Sequence, residues 1–217
     1  MALTKYNYNS FDLTTAASKG LAFNSNANGF ETSSAGSMPL IKTLTASSSS
    51  NLTFAHGTSD VVLDNTYPIY LFKCINMHPA NDDVFFAVNF RDGSTAYDAT
   101  KTTTFFTCHH GEADSATGVA YNTGFDVVQS TSGQDVFEDN GNDNDQCGCA
   151  ILQLFEPSST TFVKHFLIRS RNMSHADYTA DGFAAGYINT TTAIDGVQFK
   201  FASGNIDAGT IKMYGVL

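Results

Sequence analysis

Short segments of alternating apolar and polar residues recur along the chain, separated by clusters of Gly, Ser, Asn, Asp and Pro. The segment DVFFAVNFR places its apolar positions 84, 86, 88 and 90 on one face of an extended strand. The segment YPIYLFKCINMHP is apolar on both faces, as a central strand is, and Pro68 and Pro79 bracket it. Roughly ten such strands and no helical period longer than two turns predict an all-β fold, an antiparallel β-sandwich or jelly roll.

Two turns are predicted to close hairpins. RDGS follows the strand DVFFAVNF directly, which predicts a tight turn. In the segment 195–217, DGVQFKFASGNIDAGTIKMYGVL, two alternating stretches flank SGNIDAG, which predicts a final hairpin. Alternation places Val197, Phe199 and Phe201 inward on the first strand, and Ile211 and Met213 inward on the second.

Residues 1–36 differ from the remainder of the chain. They are polar, contain Gly and are weakly patterned, so we predict an extended N-terminal arm over 1–36 and a β-sandwich domain over 37–217. Within the arm, DLTTAASKG predicts one or two helical turns, with Asp12 as N-cap and Gly20 as the stop. The arm either crosses the sandwich surface or contacts another subunit.

Composition narrows the classes of function. The chain has 217 residues, a mass of 23.3 kDa, a net charge of −10 and a pI near 4.7. An acidic surface repels nucleic-acid phosphates, so we expect no nucleic-acid binding. No stretch of about 18 apolar residues and no signal peptide is recognisable, so we expect no membrane insertion and synthesis in a cytoplasm, where cysteines are reduced thiols.

The sequence contains no recognisable catalytic motif. Nucleophile elbows, phosphate-binding glycine loops and H-E-x-x-H are missing from it. We therefore expect a protein that is not an enzyme and needs no cofactor, with a glycan-degrading depolymerase as the last-ranked alternative, since that reaction needs two carboxylates across a cleft.

The acidic segment EDNGNDNDQ is the candidate metal site. Asp139, Asp143 and Asp145, with the neighbouring asparagines, offer the hard oxygen ligands that calcium prefers. The spacing differs from an EF-hand, and the alternative is a solvated loop.

A zinc site is the weaker metal alternative. Cys108, His109 and His110 form one cluster, and Cys147 and Cys149 form another, without the usual knuckle spacing. We favour instead that cysteines within apolar strands, Cys74 and Cys149, are buried and act as small hydrophobes.

Three tyrosines are candidates for binding glycans. Tyr97, Tyr121 and Tyr178 lie in or near loops, where exposed rings stack on sugars. The alternative is that they have no function, because a chain with nine tyrosines places some at loop edges in any case.

The C-terminal third resembles a signature of β-rich virion proteins of marine tailed phages, including cyanophages. The matching positions are Gly186-Tyr187, Ile194, Val197, Ser203-Gly204-Asn205-Ile206, Gly209-Thr210-Ile211 and Tyr214-Gly215-Val216. SSTTFVKHFLIRS and YPIYLFKCINMHP are similar to the middle strands of such proteins.

The resemblance implies a virion structural protein, made in the host cytoplasm, that decorates the capsid or forms part of a tail fibre. Its implied partners are copies of itself, with a trimer as one arrangement, and other capsid or tail proteins. The alternative is a lectin-like host-attachment module that binds host surface glycans. The resemblance implies no active-site residues.

Overall fold

The computed structural model describes residues 19–23, 26, 30–34, 37–114 and 116–217. Contacts between residues divide the chain into Met1–Pro39 and Leu40–Leu217. The first unit contains an antiparallel pair, β1 (Lys19–Phe23) and β2 (Phe30–Ser34), in which the rings of Phe23 and Phe30 stack with centroids 4.9 Å apart. The helical turns predicted for DLTTAASKG lie outside the described residues, except that residues 19 and 20 belong to β1.

The second unit is an antiparallel β-sandwich, and its described residues form no helix. The strands are β3 (Leu40–Thr45), β4 (Leu52–Ala55), β5 (Ile69–Pro79), β6 (Val84–Arg91), β7 (Lys101–Gly111), β8 (Thr117–Tyr121), β9 (Gln134–Asn140), β10 (Gly148–Phe155), β11 (Lys164–Met173), β12 (Tyr178–Ile188), β13 (Gly196–Phe201) and β14 (Ile206–Val216). An eight-stranded sheet has the order β3-β14-β5-β10-β11-β12-β7-β8, and a four-stranded sheet has the order β4-β13-β6-β9. The predicted all-β sandwich is confirmed, and the jelly-roll variant stays a prediction.

Aromatic rings fill the space between the two sheets. The Phe86 ring stacks on Phe137 at 5.2 Å and on Phe199 at 6.0 Å, and Phe199 lies 5.8 Å from Phe72 in the opposite sheet. All four side chains are at most 1% exposed. Burying rings of this size supplies much of the apolar stabilisation in a chain without tryptophan.

The segment 195–217 is not a hairpin. Its strands have the predicted faces, because Val197, Phe199, Ile211 and Met213 are all 0% exposed. However, β13 pairs with β4 and β6, whereas β14 pairs with β3 and β5 in the other sheet. The turn carries the chain across the core, so both strands face the same interior from opposite sides.

The turn predicted at RDGS also crosses between sheets. β6 belongs to the four-stranded sheet and β7 to the eight-stranded one, so no hairpin forms there. The Asp195 carboxylate holds the crossing, since it accepts hydrogen bonds from Arg91 Nε at 2.8 Å and from Gly93 N at 3.3 Å. The hairpin prediction was wrong because the sequence pattern predicts where the chain turns, but it does not predict which strand the following strand pairs with.

Candidate functional site

The eight-stranded sheet has one face in the core and one face in solvent, here called the outer face. In β11 burial alternates without a break from Lys164 to Asn172, with even positions buried and odd positions exposed. An ordinary exposed sheet face carries polar residues. The outer face carries many apolar ones, and its central residues are Thr104, Phe106, Ile151, Gln153, Leu167, Arg169, Phe183 and Ala185.

Strand register aligns the outer-face residues in rows. The longest row crosses all eight strands and contains Thr43, Lys212, Lys73, Ile151, Arg169, Phe183, Phe106 and Tyr121. A parallel row beside it contains Gln153, Leu167, Ala185 and Thr104. With neighbouring strands about 4.8 Å apart and a rise of about 3.4 Å per residue, the outer face measures roughly 34 Å by 20 Å, or about 700 Å².

Aromatic and aliphatic side chains form the middle of the outer face. The rings of Phe106 and Phe183 stack with centroids 4.7 Å apart and planes within 4°. Phe106 is 44% exposed, Leu167 48% and Ile151 43%. Between them lies a shallow groove of about 460 Å³. An exposed apolar sheet surface of this kind marks an interaction site in a folded protein.

Arginine side chains cover one side of the groove. The Arg169 guanidinium lies 5.0 Å from the centroid of the Phe183 ring and donates to Asp181 at 3.0 Å. Arg171 lies 3.7 Å from the same Asp181 oxygen. The hydrogen bond to Asp181 raises the pKa of Arg169 above its usual value. The single Asp181 carboxylate therefore pairs with two guanidinium groups.

Two lysines extend the positive charge along the longest row. Lys73 and Lys212 stand directly opposite each other on β5 and β14. Lys73 Nζ lies 5.2 Å from the centroid of the Tyr214 ring, and neither ammonium group forms an ion pair with a carboxylate within the described part of the chain. Like charges on directly opposed residues destabilise a sheet unless an anion approaches them.

The outer face therefore has a charge opposite to that of the whole protein. Four of the 11 Lys and Arg residues lie on it, and the strands there contribute two carboxylates, those of Asp181 and Asp207. The chain as a whole carries a net charge of −10. Aromatic rings, arginines and aliphatic side chains are the groups enriched at protein interfaces. Chemically, this surface suits a partner that is both acidic and partly apolar.

One end of the sandwich is strongly acidic and is here called the acidic tip. It comprises the described residues of six loops that connect strands at that end, 46–51, 80–83, 112–114 with 116, 141–147, 174–177 and 202–205. These loops contain Asp82, Asp83, Glu112, Asp114, Asp143, Asp145 and Asp177, and no Lys or Arg. The loops lie against one another: Ala80 N donates to Asn205 O at 3.0 Å, and Asn142 Nδ2 donates to Ala80 O at 3.3 Å.

Histidines are the only bases paired with these loop carboxylates among the described residues. His175 lies 3.3 Å from Asp83, and His110 lies 3.0 Å from Asp114. Asp143 and Asp145 are exposed at the centre of their loop. The acidic tip thus keeps most of its negative charge available to a partner.

The candidate calcium ligands do not converge in this structure. Asp139 lies in β9 and its carboxylate accepts a hydrogen bond from the Tyr178 hydroxyl at 2.9 Å. Asp143 and Asp145 lie in the acidic tip, exposed. Within the part of the chain that the structure describes, no three His, Cys, Asp or Glu side chains are grouped so as to hold a metal ion. The calcium hypothesis stays a prediction.

The cysteines divide between the two faces of the eight-stranded sheet. Cys74 is 2% exposed, and burial raises the pKa of its thiol. Cys149 is exposed on the outer face, where its Sγ accepts a hydrogen bond from Asn76 N at 3.3 Å. The expectation that Cys149 is buried was wrong, because it is one residue out of phase with the buried Ala150.

The three candidate tyrosines do not form one site. Tyr97 packs beside Arg91, with its ring centroid 5.5 Å from the guanidinium carbon. Tyr178 is partly buried at the acidic end, and burial raises its pKa to about 12. Tyr121 alone is exposed, at 55%, and its hydroxyl donates to Asp126 at 2.6 Å.

Two carboxyl groups of β9 have raised pKa values because they are buried. Burial raises the pKa of Asp135 to about 7, and the nearby Glu138 carboxylate adds to the shift. Glu138 is 8% exposed, and accepts a hydrogen bond from Asn122 at 3.2 Å. Asp135 is half-buried and alternates with the core residue Val136 along β9, and the main consequence of the raised pKa values is for the pH dependence of stability.

Comparisons add no relative: no known protein family, curated protein or solved structure matches this chain. Among the described residues, no helix is long and apolar enough to cross a membrane.

Sequence reasoning missed the outer face. A signal was present, because CAILQLF and TTTFFTC have apolar residues at both odd and even positions. Such two-faced strands predict burial on both sides. In the isolated chain one of those sides is exposed.

Proposed function

We propose that this protein is a structural building block of a virus particle, which assembles by burying the outer face against another protein. The observation that carries the proposal is the exposed row of aromatic, aliphatic and arginine side chains in the middle of a wide, rigid sheet. The resemblance of the segment 186–216 to virion proteins of marine tailed phages supports the viral setting. The protein is not an enzyme in this proposal.

The size of the outer face supports an assembly role. An area of about 700 Å² is close to the roughly 800 Å² that each partner buries in a standard protein interface. The surface lies on six or more hydrogen-bonded strands, so little conformational entropy is lost when it is covered. The proposal is compatible with two positions on the particle, the capsid surface and the tail.

A host-attachment module is the second candidate function. A wide groove of about 850 Å³ lies near the outer face and is lined by Phe155, Phe162 and His165 among others. Phe162 is 73% exposed. Tyr187, whose ring is 6.3 Å from that of His165, lies beside Gln129 and Asn189 amides. Exposed rings beside amide groups suit neutral glycans.

The test of the assembly proposal is a comparison of two variants by sedimentation velocity over a range of protein concentrations. Leu167→Asp places a charge in the middle of the outer face and is expected to weaken self-association or incorporation into particles. Phe162→Asp is the matched control, since Phe162 is exposed but lies outside the outer face. If Leu167→Asp assembles like wild type, the proposal is wrong.

Copy number locates the protein on the particle. Quantitative mass spectrometry of purified particles is expected to give either a number that scales with the capsid surface or a few copies for a tail component. Binding of the purified protein to host cells, lost in Phe162→Asp and kept in Leu167→Asp, would instead support the host-attachment candidate.

A further inference from the structure

We propose that the outer face receives the acidic tip of a second copy of this chain, so that copies associate head to tail. This inference rests on the proposed function, in which the outer face is buried in an assembly, and it names the occupant. The occupant is argued from charge, because the outer face carries four cations and the acidic tip carries seven carboxylates and no Lys or Arg.

The charge on the outer face rules against a face-to-face pair. Two such faces would bring Lys73, Lys212, Arg169 and Arg171 of each copy against the same four cations of the other. Only two carboxylates lie on these strands: both arginines already share Asp181, and His78 lies 3.9 Å from Asp207. Desolvating like charges against each other is costly, and an acidic occupant removes that cost.

The lysine pair shows where the occupant's negative charge is needed. Lys73 and Lys212 are directly opposed across β5 and β14, and no carboxylate pairs with either among the described residues. A carboxylate placed between them would form two charge-assisted contacts at once. The apolar row that starts at Ile151 follows directly, so anionic and apolar contacts would be adjacent.

The chain itself provides a matching acidic surface. The acidic tip presents seven loop carboxylates in six short, mutually hydrogen-bonded loops with no Lys or Arg. Loops at the opposite end also carry seven carboxylates, but cations lie beside three of them. Arg91 binds Asp195 at 2.8 Å, and the charges of Lys101 and Lys164 interact with Asp98 and Asp92.

Head-to-tail contact uses two different surfaces of each copy. Such contacts close into a ring when the rotation between copies allows it, and otherwise extend into a filament. A trimeric ring is one closed form of this arrangement. The inference therefore deepens the assembly proposal and makes its geometry testable.

The experiment uses two charge-reversed variants of the full chain. The face variant is Lys73→Glu with Lys212→Glu, which keeps a like-charged pair across the strands and so leaves local repulsion in the sheet similar. The tip variant is Asp143→Lys with Asp145→Lys, both at exposed loop positions. Circular dichroism and melting temperature establish that each variant is folded before association is measured.

We expect each variant alone to self-associate at least about tenfold more weakly than wild type at low salt. An equimolar mixture is expected to recover a one-to-one complex with nearly the wild-type Kd, because the tip of the face variant still fits the face of the tip variant. Raising NaCl from about 50 to 500 mM is expected to weaken the wild-type contact, since screening lengths fall below 10 Å.

Matched controls carry the same charge changes elsewhere. Asp60→Lys with Glu156→Lys makes the same total change as the tip variant, at exposed positions of the opposite end. Lys200→Glu reverses an exposed lysine on the four-stranded sheet. Both controls are expected to associate at least as well as wild type.

Three results would overturn head-to-tail association. A tip variant that self-associates like wild type while the face variant does not would mean that outer faces meet each other or another surface, and the assembly proposal would survive. A face variant with wild-type association would overturn both. Wild-type protein that stays monomeric at every concentration would assign the outer face to a different acidic molecule, such as another virion protein or an anionic polysaccharide.

Discussion

Phe166 and Leu167 are neighbours on β11 that point to opposite faces of the sheet, and they permit a paired test of fold and function. Phe166 is 0% exposed and its ring lies 5.1 Å from that of Phe90. Phe166→Ala is expected to lower the free energy of unfolding by about 3–5 kcal/mol, since it removes a fully buried ring and leaves a cavity. Leu167 is 48% exposed, so Leu167→Ala is expected to cost only about 0.5–1 kcal/mol.

The substitution with the smaller effect on stability should have the larger effect on self-association. Leu167→Ala removes apolar surface from the middle of the outer face, so its Kd for self-association should rise about tenfold, the equivalent of about 1.4 kcal/mol. Phe166→Ala, measured where it is still folded, should leave that Kd close to wild type. The two residues are adjacent on one strand, so any effect that depends only on location in the chain is the same for both variants.

Urea unfolding followed by far-UV circular dichroism measures the stability, because the chain has no tryptophan to report by fluorescence. The protein must be dilute enough to be monomeric, since association adds to apparent stability. Stabilities of the two variants that agree within about 1 kcal/mol would refute the assignment of the two faces. So would a Kd that both substitutions change equally.

Three further predictions concern pH, the C-terminal strand and calcium. The pKa of Asp135 is raised from its ordinary value of 3.8 to about 7. Between these values the folded state holds a proton that the unfolded state releases, so the free energy of unfolding should fall as pH rises through this window. Asp135→Asn should remove that slope, and urea titrations at pH 5 and pH 8 check it, with an unchanged slope counting against burial as the cause. Deleting 214–217 removes the end of a strand paired on both sides, and should abolish folded soluble protein; an unaltered melting curve would contradict this. A calcium site in 139–145 would make the melting temperature rise with calcium and fall with a chelator, and no shift with either would end that hypothesis.

The sequence predicted which way side chains point much better than which strands pair. In β13 and β14, alternation assigned Phe199 and Ile211 to the core correctly, because side-chain direction depends only on the period of two along one strand. The hairpin between them was wrong, because pairing depends on distant residues. β13 pairs with Thr53 and Phe54 of β4, far back in the chain, and no local pattern contains that information.

The candidate site shows the same difference between local features, which the sequence predicted, and long-range contacts, which it did not. The cations of the outer face lie far apart in the sequence. Lys73 is on β5 and Lys212 is on β14, and only the register of these strands places them side by side. The acidic segment 138–146 is recognisable from composition, and the calcium hypothesis for it stays a prediction. Only the structure shows that this segment shares one end of the sandwich with three other loops that carry carboxylates.

The position of β14 between β3 and β5 has a consequence for how the protein is made. Thr45 and Thr210, whose hydroxyls lie 3.2 Å apart, are separated by 165 residues. On a ribosome, β3 emerges long before the strand that will shield its backbone, and at typical synthesis rates of about 5–20 residues per second that wait lasts many seconds. Throughout that time nascent copies display open strand edges to one another, so high expression rates favour aggregation over folding, and a holding chaperone or a lower expression level should raise the yield.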